Sequence, residues 1–198
     1  MDSELRNKLD VSFNLIRQIP FTKLSVIGRS KFTVKDLQVG STLKFNNRIY
    51  LVTDNYNYYE NKKDVIDCVE FQLTDVLTGD LRYLEYTEDD TIEIFLTSAK
   101  VSTKEIEDSL PFHNYEFIKN EVKDFTLREN RMTFYYDDNW KSRFVKGDDL
   151  SKSELVRMVE FEGEDEKTYL TFEFWEDGSM EVFLSYEIKT YNIEILSL

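Results

Sequence analysis

Nucleophilic catalysis needs a serine or cysteine beside a histidine and an orienting carboxylate. The chain of 198 residues contains one histidine, His113, and one cysteine, Cys68. His113 follows Pro111 and Phe112 in a connecting segment, which favours a loop position over a general base. Cys68 lies in a strand-like run, where a buried thiol usually acts as a small hydrophobic side chain. The sequence therefore predicts no catalytic residue and no enzyme activity.

Metal and cofactor sites have little support either. One histidine and one cysteine cannot supply the usual ligands of zinc. A run of acidic residues is expected to form a solvated turn with at most a weak calcium or magnesium contact, because it lacks the ligand spacing of a calcium loop. This run consists of Glu162, Glu164, Asp165 and Glu166. We predict no metal and no cofactor.

Aromatic side chains are concentrated in two turn-rich stretches and could form a contact surface. Exposed tyrosines give a large, rigid area with a polar tip, which suits a protein interface. Alternatively, the same side chains cover the mouth of a barrel, and the sequence does not separate these two interpretations. The candidate partner-binding residues are Tyr56, Tyr58 and Tyr59 in the first stretch and Tyr135, Tyr136 and Trp140 in the second.

Charge is unevenly distributed along the chain. With 39 acidic and 25 basic residues the net charge is −14, which repels nucleic-acid phosphate and anionic lipid. No acidic residue occurs between Val11 and Lys35. This basic arm either docks on the acidic body of the protein or binds an acidic partner. Its cations are Arg17, Lys23, Arg29, Lys31 and Lys35.

The N-terminal segment is expected to be helical. Leu5, Leu9, Phe13 and Ile16 recur at helical spacing, and Pro20 ends the pattern, which predicts an amphipathic helix from Asp2 to Ile19. No apolar run is long enough for a signal peptide or a transmembrane segment, and a single cysteine suits a reducing compartment, so a cytoplasmic location is expected. Capping boxes at Ser102–Glu105 and Ser151–Glu154 predict two further short helical turns.

After Lys35, short apolar and aromatic runs alternate with turn residues, which is typical of β-strands. Asn46-Asn47 and Asp177-Gly178 are each expected to form a type I′ hairpin turn. The predicted strands are Thr42–Asp54 with a turn at 46–47, Val65–Thr74, Arg82–Tyr86, Thr91–Ser98, Phe125–Leu127, Met132–Tyr136, Val156–Phe161, Thr168–Trp175, Met180–Tyr186 and Thr190–Leu196.

Part of the chain is repeated. Residues 85–96 and 173–184 share six identities in twelve, and Val69-Glu70-Phe71 recurs as Val159-Glu160-Phe161. On the returning strands, Ile94 and Val182 are expected in the core, while Glu93 and Glu181 face water. The fold class is thus mainly β (α+β by strict count), with two related antiparallel β-units of a small-barrel or curved-sheet type. The predicted organisation is an N-terminal helix and basic arm at 1–35, a first unit at 36–107, a connector at 108–120 and a second unit at 121–198.

The strand that begins after Gly40, together with the closing hairpin Phe172–Gly178, resembles the bacterial family called domain of unknown function 4178. The resemblance covers about residues 36–195. It implies an uncharacterised β-rich module with no catalytic residues to transfer. It also implies a genomic context of membrane or envelope stress.

These observations favour a non-catalytic protein-binding or scaffold module of unknown partner. The alternative is a β-barrel that binds a small ligand or lipid, which a cavity with a few inward polar groups would favour. A third possibility is an acidic mimic of nucleic acid, and the fourth is a hydrolase that uses carboxylates.

Overall fold

A computed structural model describes residues 32–60, 64–88, 91–102, 132–147 and 149–198, together with positions 14, 17, 104, 106, 125 and 126. Within these residues the chain forms eleven strands and three short 3-10 turns, the latter at Val34–Asp36, Leu150–Lys152 and Thr190–Asn192. The strands are β1 Thr42–Phe45, β2 Arg48–Glu60, β3 Ile66–Asp75, β4 Leu81–Glu88, β5 Ile92–Lys100, β6 Phe125–Thr126, β7 Thr133–Lys146, β8 Glu154–Gly163, β9 Thr168–Trp175, β10 Met180–Glu187 and β11 Glu194–Ser197.

Eight of these strands close into an antiparallel barrel. Their order around the ring is β2, β3, β4, β5, β10, β9, β8 and β7, and pairing of β7 with β2 completes it. The first half of the chain supplies β2 to β5 and the second half supplies β7 to β10, so each predicted unit contributes four strands to one ring. Strands β1 and β11 extend the sheet beyond β2, and β6 extends it beyond β7. The mainly β fold of a small-barrel type is confirmed.

Type I′ turns are predicted at Asn46-Asn47 and at Asp177-Gly178, and the backbone angles test both predictions. Asn46 and Asn47 have φ values of 48° and 61°, which are the two positive φ angles that a type I′ turn requires. In the β9–β10 hairpin only Gly178 has a positive φ, and the Trp175 N–H donates to the Ser179 carbonyl across a three-residue loop. The type I′ prediction for Asp177-Gly178 is therefore wrong.

Other predicted elements differ in extent. The helical turn expected at Ser151 is present, but Asp149 caps it by accepting from the Ser151 N–H. The last strand begins at Glu194 instead of Thr190, because a 3-10 turn comes first. The predicted helix Asp2–Ile19 lies outside the described residues apart from Asn14 and Arg17, and so does the connector 108–120. The turn residues Asp89 and Asp90 also lie outside them, so the equivalence of the two repeated hairpins stays a prediction.

The apolar residues lie on the outer face of the ring in two clusters. The first cluster includes Phe71, Leu84 and Ile94, and it is covered by β1, β11 and the turn that contains Val34. The second includes Phe161, Phe172 and Val182, packed under Phe134, Val101 and Ile106. Ile94 and Val182 are each 1% exposed, so their predicted core positions are confirmed. Glu93 is exposed as predicted, whereas Glu181 is only partly exposed and pairs with Lys100.

The opposite face of the same strands lines the lumen. Tyr58 on β2 reaches Glu173 on β9, although β7 and β8 lie between these strands in the ring. Such a contact can only cross the interior. Because side chains alternate along a strand, the residues two positions away from Tyr58 and Glu173 face inward as well. The apolar clusters outside thus leave the lumen free for polar and aromatic side chains.

Candidate functional site

The lumen contains a cavity of about 730 Å³ near the ends of β2 and β4. Smaller cavities of about 150 and 270 Å³ lie toward the other end and share Tyr83, Glu181 and Phe183 in their walls. Tyr58 lines both the large cavity and the 150 Å³ cavity, so it stands between them. Strands from all sides of the ring therefore converge on one internal space.

Four glutamates project into the lumen: Glu85 and Glu160 line the large cavity, and Glu70 and Glu173 line the 150 Å³ cavity. Glu70 on β3 and Glu85 on β4 are direct cross-strand neighbours. Glu173 lies on β9 and Glu160 on β8. In a ring of eight strands, β3 and β9 are diametrically opposite, and so are β4 and β8. The lumen thus has two facing carboxyl pairs, Glu70 with Glu173 and Glu85 with Glu160, which we call the carboxyl ring.

Burial perturbs all four carboxyls in the same direction. Burial and the nearby carboxyls of Glu181 and Glu85 raise the pKa of Glu173 to about 8. Burial and the facing Glu85 raise the pKa of Glu160 to about 7. The pKa of Glu70 is raised well above its usual range by burial and by the facing Glu173, and burial also raises that of Glu85. Burial therefore favours the protonated form of every member of the carboxyl ring.

Few protein groups compensate these carboxyls. The Tyr58 hydroxyl donates to Glu173 Oε1 at 3.5 Å, and the Thr171 hydroxyl donates to Glu160 Oε2 at 3.1 Å. Within the described residues, no lysine or arginine forms an ion pair with any member of the carboxyl ring. Glu181, which lies opposite Glu173 on the neighbouring strand, forms an ion pair with Lys100 beside the smaller cavities.

An aromatic partition separates the cavities. It is formed by Tyr58, Cys68, Val156 and Met158, with Trp140, Phe144 and Trp175 packed against them. Trp140 lines the large cavity and Trp175 the 150 Å³ cavity, and they are the only two tryptophans of the chain. Burial raises the pKa of the Cys68 thiol well above its usual range, so this residue is protonated and packs as the sequence predicted.

The sequence model of the family described as Domain of unknown function (DUF4178) matches residues 38–190. The chain belongs to this family. No curated protein and no solved structure matches it. The DUF4178 match spans the whole ring from β2 to β10, including all four glutamates of the carboxyl ring. No helix among the described residues is long and apolar enough to cross a membrane.

The DUF4178 barrel buries most of the first group of predicted partner-binding residues. Tyr58 and Tyr59 are 4% and 7% exposed, so the expectation of an exposed tyrosine patch is wrong for both. Tyr56 stacks on Phe144 in the lumen, and its hydroxyl donates to Gln72 Oε1 at 3.2 Å. Tyr56 and Tyr58 share the lumen face of β2, which continues well beyond the predicted end at Asp54, whereas Tyr59 lies opposite Arg143 on the other face.

The second group is divided between the surface and the lumen. Tyr135 and Tyr136 are 48% and 38% exposed near the start of β7. Trp140 is partly buried and lines the large cavity. The structure therefore does not bring the six predicted aromatic residues together on one surface, and partner binding through the exposed tyrosines stays a prediction.

Only two cations of the basic arm are described. Arg17 is exposed, and Lys35 forms an ion pair with Glu88 at the end of β4. Lys23, Arg29 and Lys31 lie outside the described residues, as does His113. Asp165, from the predicted acidic turn, accepts from the Lys167 and Thr168 N–H groups. No group of three histidine, cysteine, aspartate or glutamate side chains in the described part of the chain could hold a metal ion.

Sequence reasoning missed the carboxyl ring, although its signal was present. Glu85 aligns with Glu173 in the repeated segment, and Glu70 aligns with Glu160 in the repeated tripeptide. Each lies at an alternating position within an apolar or aromatic strand, which is an unusual place for a charge. The two repeated segments contain all four glutamates, so the repeat could have identified them as candidates for burial.

Proposed function

We propose that the lumen of this DUF4178 barrel binds a small organic molecule. The observation that carries the proposal is a cavity of about 730 Å³ in the lumen, whose wall combines Tyr58, Trp140 and Met158 with many ionisable side chains. Ligand sites are typically cavities of roughly 300–1,000 Å³ with a small number of placed polar groups. The alternative predicted from the sequence, a ligand-binding barrel, is thus better supported by the geometry than a scaffold.

We propose further that the ligand is bound and not chemically changed. General acid–base catalysis by carboxyls relies on environments that push the pKa values of the acid and the base apart. In the carboxyl ring, burial raises the pKa of every member, so these carboxyls shift in the same direction instead of dividing into an acid and a base. The protonated Cys68 thiol beside Glu85 adds no nucleophile.

Filling the large cavity is expected to abolish ligand binding. Thr87 lines this cavity opposite Cys68, and a Thr87→Phe side chain would occupy part of its volume. Native mass spectrometry of the protein purified from its own cells is expected to show a small-molecule adduct that falls about tenfold or more in Thr87→Phe. Val39→Phe is the control, because it adds a ring at an exposed position outside the barrel. An adduct of equal occupancy in both variants would contradict lumen binding.

Protein binding remains a second candidate because Tyr135 and Tyr136 are exposed neighbours on β7. A Tyr135→Ser/Tyr136→Ser variant is expected to lose a protein that crosslinks to the wild-type chain in its native cell, while its small-molecule adduct is retained. Tyr191→Ser is the matched control, since Tyr191 is 85% exposed at a different site. The same crosslinked proteins in all three samples would exclude this surface.

A further inference from the structure

The walls of the large cavity are strongly unbalanced in charge. Seven acidic residues line it, namely Glu60, Asp67, Glu85, Glu93, Asp137, Asp138 and Glu160, against a single basic residue, Lys141. A cavity lined by one sign of charge with low-dielectric walls concentrates ions of the opposite sign. An anionic ligand would meet repulsion at the mouth and again at the carboxyl ring.

The carboxyl ring is an unfavourable arrangement for the protein alone. Glu70 lies directly opposite Glu85, and Glu173 lies directly opposite Glu181, in register across neighbouring strands. Like charges directly opposite each other destabilise a sheet, and a buried carboxylate without a cation costs several kcal/mol in desolvation. Of these four glutamates, only Glu181 forms an ion pair with a lysine among the described residues. A ligand that carries positive charge would compensate both unfavourable interactions.

An unsatisfied hydroxyl provides a second, independent indication of a ligand. Ser142 is fully buried, and its hydroxyl has no hydrogen-bond partner among the described residues. It lies on β7 midway between Trp140 and Phe144, which places it on the lumen face beside the aromatic partition. Buried polar groups nearly always have a partner, so a polar ligand atom or an ordered water that reaches the partition would be the expected one.

We propose that the ligand of this lumen is an organic cation, a quaternary or protonated amine. Its charged group would lie between Glu85 and Glu160 of the carboxyl ring and its carbon atoms against the faces of Tyr58 and Trp140, which line the same large cavity. The aromatic face supplies the cation–π attraction that recognises alkylammonium groups. A bare metal ion fits less well, because no three suitable side chains of the described residues form a group that could hold one.

Proton release follows from this arrangement. In the free protein burial raises the pKa of every member of the carboxyl ring, and no lysine or arginine among the described residues forms an ion pair with any of them. An ammonium group placed between the facing pairs favours the ionised form of each carboxyl, so binding near pH 7 transfers protons from the ring to the buffer. A neutral ligand of the same shape would leave the protonation of the ring unchanged.

Choline and 3,3-dimethylbutan-1-ol test this inference, which rests on the proposed function. The two probes have the same shape and differ in one positive charge. Fluorescence of Trp140 and Trp175 is expected to report choline binding about tenfold or more tighter than binding of the neutral alcohol. Calorimetry in buffers of different ionisation enthalpy is expected to show proton release with choline alone. Magnesium chloride is expected to leave the fluorescence unchanged.

Two double variants distinguish an effect of the carboxyl ring on choline binding from an effect of the net negative charge of the protein. Glu85→Gln/Glu160→Gln keeps the shape of the facing pair that lines the large cavity and removes its acidity, so choline affinity is expected to fall about tenfold or more while alcohol affinity is retained. Glu176→Gln/Glu194→Gln removes two exposed carboxyls outside the cavities and is expected to bind like the wild type.

The outcomes distinguish the two proposals. If the alcohol binds as tightly as choline in the wild type, and Thr87→Phe blocks both, the lumen binds ligands but the organic-cation inference is overturned. Tight binding of magnesium without choline binding would also overturn it, in favour of a metal. If no probe changes the fluorescence of either tryptophan, the organic-cation inference is overturned; the proposed binding function fails as well only if the native protein carries no adduct that Thr87→Phe removes.

Discussion

Truncation of Ile94 to alanine is expected to lower the free energy of unfolding by about 2–4 kcal/mol. Ile94 is 1% exposed in the first outer cluster, where Phe71 and Leu84 also belong. The surrounding strands belong to a closed ring and cannot collapse freely into the space, so the cavity left by the missing methylene groups is expected to persist. Urea denaturation followed by circular dichroism measures the loss.

The neighbouring residue supplies the control for this prediction. Glu93 precedes Ile94 on β5 and is exposed, so Glu93→Ala is expected to change the free energy of unfolding by less than about 0.5 kcal/mol. Because side chains alternate along a strand, a shift of β5 by one residue would exchange these two environments. A larger loss for Glu93→Ala than for Ile94→Ala would therefore show that the register of β5 is wrong.

The sequence predicts most of the strands correctly because the outer face of the ring follows the usual alternation. Val69, Phe71 and Leu73 alternate with polar residues on β3, and the hairpin at Asn46-Asn47 has its characteristic turn residues. Local patterns of this kind do not depend on which strand lies next in the sheet. They identify strands and buried faces without specifying closure of the barrel.

Closure of the barrel depends on β2 and β7, and both strands are longer than the sequence predicted. β2 extends to Glu60 and β7 to Lys146, through segments rich in tyrosine, asparagine and aspartate that are typical of turns. Their last residues pair with each other, with Tyr58 opposite Phe144. A register shift next to Thr53 and another next to Asp137 bend these strands and exchange their faces, so the simple alternation is interrupted where the ring closes.

The candidate site was hidden for a related reason. A glutamate on a strand is normally assigned to the solvent side, and in a sheet with one buried face that assignment is correct. Here the apolar face points outward under covering segments, so the polar face of β3, β4, β8 and β9 points into the lumen. Glu70 and Glu173 become neighbours only once the ring is closed, and no local pattern contains that information.

Substitution of Glu173 by glutamine is expected to make the protein more stable at pH 8.5, by an amount on the order of 5 kcal/mol. Glu173 is 6% exposed, and its pKa of about 8 in the folded protein compares with about 4.3 for an unperturbed glutamate in the unfolded chain. Because the folded state binds the proton more tightly, its contribution to stability is complete below about pH 4.3 and is lost as the pH rises through about 8.

Glutamine resembles the protonated acid in shape and can still accept from Tyr58, so the variant avoids this loss without leaving a cavity. The difference in unfolding free energy between Glu173→Gln and the wild type is therefore expected to be near zero at pH 4.5 and to grow steadily to pH 8.5. Urea titrations at five pH values measure it, with the exposed Glu194→Gln as the control. A difference that is constant with pH, or that shrinks as the pH rises, would mean that Glu173 is ionised in the folded barrel. In that case the carboxyl ring would already have a compensating cation, and the uncompensated carboxyls on which the organic-cation proposal depends would not exist.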